Sequence, residues 1–169
     1  MKKIFIAIAA IALSTAANAQ TTYSAGLEVG LPSGDASTIS GTAFGGSVKA
    51  VYALGGSKNS AITGNVGFLS FGGKDITVFG VTVKSPSVTA IPVKVGYRYS
   101  AEGGFYAEPQ VGMTFFSGGG SGSGFTYAAN LGYIINEKFD LSARYESAKI
   151  EGGSWNHIGI RLAYVFGGK

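Results

Sequence analysis

The sequence has no cysteine, a single histidine and only four prolines among 169 residues. Without cysteine there is no disulfide scaffold, no thiolate metal site and no thiol nucleophile. One histidine excludes a multi-histidine metal centre. So little proline excludes a proline-rich linker, and the 28 glycines follow no G-X-Y period, which excludes collagen. Charge is scarce as well: Asp, Glu, Lys and Arg make up 13% of the chain, about half the share usual in soluble domains. No apolar run reaches the roughly 18 residues of a membrane-spanning helix. Hydrophobic residues nevertheless amount to 46% and aromatics to 12%, so the chain is not disordered and has a large apolar surface to place. Its length suits one domain.

The start of the chain reads as an export address. Lys2 and Lys3 precede an apolar run from Ile4 to Leu13, and Ala17-Asn18-Ala19 has the small-residue pattern of a cleavage site. We expect residues 1–19 to be a signal peptide, cut after Ala19 with Ala17 and Ala19 as the recognised pair, and residues 20–169 to be the exported domain. Removing the two leader lysines leaves 11 basic against 9 acidic residues, a net charge of +2. So even a balance, with the cations dispersed, gives no support for nucleic-acid binding.

Beyond residue 20 the pattern has period two. In Thr22 to Leu31, Tyr23, Ala25, Leu27, Val29 and Leu31 share one face, and Ser24, Gly26, Glu28 and Gly30 the other. The alternation returns over 43–54, 61–71, 88–99, 105–116, 125–135, 139–147 and 156–166, which makes eight strands with the first. The apolar face carries no charge. The opposite face carries Glu28, Lys49, Lys94, Arg98, Glu108, Asp140, Arg144, Glu146 and Arg161, with Gln110 and Asn130, among small residues. Export and segments of about 10 residues, longer than a typical strand of 5 or 6, point to tilted strands crossing a bilayer. The apolar face then meets lipid. Because unpaired backbone groups are too costly in hydrocarbon, the sheet must close. The expectation is an all-β, eight-stranded antiparallel up-and-down transmembrane barrel with a packed polar interior. Five inward cations and four inward anions should pair across it, and Arg98 and Glu108, on either side of one short turn, are an expected pair.

Connectors near 55–59, 100–104 and 136–138 are short, and those near 32–42, 72–87, 117–124 and 148–155 are mostly longer. Short turns belong to the periplasmic side of such barrels, so both termini are expected there. Outward Tyr23, Tyr52, Tyr97, Tyr99, Tyr133 and Tyr164 gather toward the short turns. Phe44, Phe68, Phe115, Phe125 and Tyr127 gather toward the longer connectors, and the two sets read as interfacial girdles. Ile76 to Val83 also alternates, but an odd strand count would be unusual, so it reads as a hairpin extension outside the membrane. Pro92 and Pro109 each remove a ladder hydrogen bond, so bulges or irregular pairing are expected there. The run from Ser117 to Gly124 reads as a flexible loop.

Three stretches carry a family resemblance: IPVKVGYRY (Ile91 to Tyr99), FYAEPQVGMTFF (Phe105 to Phe116) and LSARYESAKIEGGSWNHIGIRLAYVF (Leu141 to Phe166). They resemble the small outer-membrane β-barrel family common in Bacteroidota, similar in architecture to OmpX and the OmpA membrane domain, over essentially the whole chain after residue 20. The resemblance implies residence in the outer membrane and contact with its lipids and lipopolysaccharide. It also implies recognition by the barrel assembly machinery through Ile160, Leu162, Tyr164 and Phe166 of the last strand, although Gly167, Gly168 and Lys169 follow that aromatic.

The leading functional expectation is a noncatalytic, monomeric barrel without cofactor. It would contribute to envelope integrity or present loops to an external ligand, with Asp35, Lys74, Asp75, Lys84, Lys149 and Glu151 exposed. The alternative is a narrow channel for small solutes or ions. A third is a lipid A-modifying enzyme, for which His157 opposite Glu146 and a nucleophile at Ser147 or Ser154 would be needed. NHIGI (Asn156 to Ile160) lacks the neighbouring serine of the deacylase pattern.

Overall fold

In the computed structural model, residues 21–34, 36–55, 59–78, 81–84, 86–118 and 122–167 are described. The leader, with Ala17 and Ala19, and the loop residue Asp35 lie outside them. The elements in order are β1 (Thr21–Ser33), α1 (Ala36–Ile39), β2 (Ser40–Ala53), β3 (Ser60–Gly73), β4 (Asp75–Val78) and β5 (Val81–Lys84). There follow β6 (Val88–Ser100), a 3-10 turn (Glu102–Gly104), β7 (Phe105–Gly118), β8 (Gly122–Ile135), β9 (Phe139–Ile150) and β10 (Gly153–Phe166).

Eight strands close a barrel in the order β1-β10-β9-β8-β7-β6-β3-β2, and every described pair is antiparallel. The seam joins Tyr23 to Phe166 and runs to Ser33 opposite Asn156. β4 and β5 form a separate two-stranded sheet, with Asp75 opposite Lys84 and Val78 opposite Val81. Residues 76–83 are therefore a hairpin outside the barrel wall and leave the strand count even. The end bearing the turns 54–59, 101–104 and 136–138 is called proximal below. The end bearing α1 and the β4–β5 hairpin is called distal.

The pleat sorts the side chains as period two demands. Leu27, Val95, Leu131, Ile160 and Leu162 are exposed on the outer wall, whereas Glu28, Lys49, Lys94, Glu108 and Arg161 are buried within. A soluble barrel would invert this arrangement, because exposed apolar surface on such a scale has no aqueous solution. Exposed Tyr52, Tyr97, Tyr99, Tyr133 and Tyr164 lie toward the proximal end, and exposed Phe44, Phe68, Phe115, Phe125 and Tyr127 toward the distal end. Tyr23 is half-buried and stacks on Phe166 across the seam.

Two local expectations are corrected. The distal connectors are not uniformly long: β9 continues to Ile150 and β10 resumes at Gly153, while β7 runs to Gly118 and β8 begins at Gly122. Glycine here permits close strand approach instead of flexibility, since a Cβ on Gly124 would collide with the Lys149 carbonyl. The irregular pairing expected at the two prolines within strands is present, without a shift of register. Pairing lapses between Val66 and Leu69 opposite Pro92, and between Gly96 and Tyr99 opposite Pro109, then resumes in step. The ladder absorbs one missing donor at each place because bonds on either side hold the alignment. Among the described pairs, a register shift occurs between Ser40 and Ala43 against β3, beside α1.

The β8–β9 turn has two left-handed non-glycine residues, Asn136 at φ 49° and Glu137 at φ 58°. Lys138 N–H donates to the Ile135 carbonyl at 3.0 Å, closing a primed hairpin turn suited to strand twist. Asn tolerates that conformation, whereas Glu has no local compensation for its Cβ. Glu137→Gly is expected to raise stability by roughly 1 kcal/mol. An upward shift of the urea midpoint for the barrel refolded in vesicles checks this.

Candidate functional site

The inward charges meet at the axis because each sits on the inner face of a strand that curves around a narrow cylinder. Eight strands leave an interior only wide enough for side chains. Glu108 on β7 accepts from Arg98 Nε on β6 at 2.7 Å, and Lys49 Nζ reaches it from β2 at 3.3 Å. Asp140 on β9 meets Arg161 at 3.2 Å, Arg98 at 3.5 Å and Lys49 at 3.6 Å. Glu28 on β1 accepts from Arg144 at 3.0 Å and lies 3.5 Å from Arg161. Glu146 pairs with Lys94 across the barrel and lies 3.6 Å from Arg144. Gln110 donates to Glu108, and Asn130 donates to the Glu108 carbonyl while accepting from Arg144 Nε. The eleven inward residues named from the sequence thus form one connected set. The Arg98–Glu108 contact is a direct, charge-assisted hydrogen bond.

Three further members are Tyr106 and Ser47, which the sequence analysis did not name, and Ser24, which it placed on the Glu28 face. Tyr106 donates to Asp140, and its ring lies 3.8 Å beneath the Arg98 guanidinium. It occupies space that only Gly132 on β8 leaves open, since a Cβ there would overlap the phenol. Ser47 donates to Glu28 and accepts from Arg161 Nε at 2.8 Å. Ser24 accepts from Arg161 Nη2 at 3.0 Å. Tyr106 shares parity with Glu108 and Gln110, so the alternation that located the charges could also have located it. Thr63 Oγ1, Asn65 Oδ1, Gln110 Oε1, Ser142 Oγ and Arg144 Nη2 are buried without a protein hydrogen-bond partner.

The two ends of the interior differ. A proximal vestibule of about 360 Å³, bordered by Ser24, Glu137 and Asp140, reaches Arg98. The distal end is filled by an apolar cluster of Leu69, Phe71, Val88, Ala90 and Trp155, with Phe116 packed against it and Ala36 of α1 in contact. Phe71 meets Trp155 edge to face at 5.3 Å and His157 at 5.6 Å. The interior is therefore not polar throughout. Trp155 belongs to a strand, not to the expected connector, and the parity of β3 sends Leu69 and Phe71 inward.

His157 is buried and sits opposite Glu146 in the β9–β10 register. Glu146 is engaged by Lys94 and Arg144. Ser147 faces Asn156 in register, and Ser154 accepts from Asn156 Nδ2 at 3.2 Å. By pleat alternation both serines stand on the face opposite to His157. No group of three or more potential metal-ligating side chains occurs among the described residues.

An apolar outer wall, strands of 12 to 14 residues and an ion-paired interior define a small integral membrane barrel. The chain belongs to the outer membrane protein beta-barrel domain family, whose model matches residues 4–166. Its place is the outer membrane. Among solved structures, Ail of Yersinia pestis is similar at 15% identity and a TM-score of 0.63, covering 86% of this chain and 97% of that one. The N-terminal barrel of Pseudomonas aeruginosa OprF is similar at 15% identity and 0.58, covering 87% and 98%. OprG of Pseudomonas aeruginosa follows at 9% identity and 0.52, covering 87% and 95%. No curated protein matches the sequence.

Removing one charge from a buried pair leaves the others uncompensated. Glu108→Gln, which leaves Arg98 and Lys49 with Asp140 as their one shared carboxylate, is expected to cost about 3 kcal/mol in urea unfolding from vesicles. The exposed Glu102→Gln is expected to leave the midpoint unchanged.

Proposed function

We propose that this chain is a noncatalytic, nonconducting outer-membrane barrel that presents its distal end to an external partner. Residues 20–169 form the mature domain after a signal peptide is cut at Ala19, with both termini in the periplasm and the distal end outside. The observation that carries this reading is an interior closed beyond the proximal vestibule, by ion pairs through its middle and by the Phe71–Trp155 cluster at the distal mouth. Charges satisfied by one another hold a cylinder shut and offer no ladder of sites for a permeating ion.

What is left for recognition is the distal surface. The paired strands β4 and β5 lie there, outside the barrel sheet. Lys149 and Glu151 are exposed at the same end, and Lys74 Nζ donates to the Ser37 carbonyl beside α1. One of the Ail structures is a complex with the heparin analogue sucrose octasulfate, at 16% identity to this chain and a TM-score of 0.57. That makes a sulfated polyanion the first external ligand to test. The lipid partners are outer-membrane phospholipid and lipopolysaccharide around the wall. Exposed Ile160, Leu162, Tyr164 and Phe166 on β10 are the residues offered to the barrel assembly machinery.

Planar-bilayer recordings of the refolded mature chain are expected to show no stable unitary conductance. A channel would show one, and it would change when Arg98 and Glu108 are neutralised together. His157→Ala is expected to leave the lipid A profile of an expressing strain unchanged, and a changed acylation pattern would establish catalysis.

A further inference from the structure

The outer wall is not an even belt. By register, outward Tyr99, Ala107, Leu131, Ala143 and Ile160 stand side by side across five strands. Two of them are alanines among large neighbours. One step toward the proximal end, the rings of Phe105 and Tyr133 meet at a tilt of 51° with centroids 4.7 Å apart, and Leu141 follows in the same row. The wall is sunk at the two alanines and raised at the ring pair. Together they bound a groove of about 600 Å³ on β6 to β9, a size common among small-molecule clefts of roughly 300–1,000 Å³.

We propose that this groove is a binding site for one acyl chain of a phospholipid. Its lining is aromatic and aliphatic, so neither a peptide backbone nor a sugar would find hydrogen-bond partners there. It lies on the outward face, where Ile160 and Leu162 of the exposed apolar belt adjoin Ala143 and Leu141 in register. An occupant must therefore come from the bilayer. The groove lies toward the proximal end, with Tyr99 and Tyr133 at the level where tyrosine rings favour the interface. The choice of phospholipid over lipid A rests on the orientation proposed above, which puts this end in the periplasmic leaflet. An alkyl chain lying over Ala107 and Ala143 makes contacts along its length with Leu131, Leu141 and the ring pair.

The test uses the mature chain refolded in phosphatidylglycerol nanodiscs carrying a small share of phosphatidylethanolamine with a diazirine on its acyl chain. After irradiation, adducts are mapped by peptide mass spectrometry. The expected result is a several-fold excess of adducts at Ala107, Leu131 and Ala143 over Leu27 and Val48, which are exposed on β1 and β2 across the barrel from β7 and β8. Ala107→Phe combined with Ala143→Phe fills the groove from the lipid side and should abolish the excess while heat-modifiable gel migration persists. Even labelling around the wall, or an excess that survives filling, overturns the site. Protein-to-protein crosslinks through these residues would identify a second copy as the occupant and overturn it too. An excess seen with a diazirine-bearing lipid A but not with phosphatidylethanolamine would overturn the choice of phospholipid. None of these readouts depends on conductance or on an external ligand.

Discussion

A backbone that crosses hydrocarbon must find every hydrogen-bond partner within itself, and the rest of this molecule follows from that demand. The sheet has to close, and closing with eight strands leaves a cylinder that only side chains can fill. Each of the described inward charges is matched to a partner, and small residues make room for large ones. Gly132 gives way to Tyr106, and Asp140 receives that phenol together with three cations. Ionic groups in such a place are acceptable only when hydrogen-bonded and paired, because each would otherwise carry a desolvation cost of several kcal/mol.

The filling is of two kinds. Ion pairs and amides occupy the proximal and central interior, where Lys49, Arg98, Glu108 and Asp140 meet. Aromatic and aliphatic groups occupy the distal end, with His157 at the boundary against Phe71. Both kinds serve the barrel itself. The surfaces that remain for other molecules are the distal hairpin and its neighbours, which face solvent, and the outer wall, which faces lipid.

Much of this was legible in the sequence because period two is a local property. Alternation alone separates Leu27 from Glu28 and Leu162 from Arg161, and so assigns the two solvents. The Arg98–Glu108 contact was legible because a short turn fixes which residues on β6 and β7 are neighbours. Pairs across the axis, such as Lys94 with Glu146 and Lys49 with Asp140, were not, since they depend on the stagger of strands distant in sequence. Tyr106 escaped because aromatics were assigned to the lipid girdles, although its parity placed it inside. Trp155 escaped because glycines around it looked like a loop, whereas they allow β9 and β10 to stay paired up to a two-residue turn. The prolines marked where pairing lapses, and a ladder bonded on both sides keeps its step across each gap.

The β1–β10 seam is where two strands distant in sequence must meet with no hairpin to join them. Several ties of the inner network cross it: Arg161 reaches Ser24 over a separation of 137 residues, and Arg144 reaches Glu28 over 116. Neither contact exists in an open sheet. The last strand to dock therefore brings in Arg161 at the same moment as the missing row of backbone bonds, so zipping the cylinder and neutralising its axis are one cooperative event. A half-zipped intermediate would hold bare carboxylates beside acyl chains, which sets circularisation apart as the all-or-none step in the life of this protein.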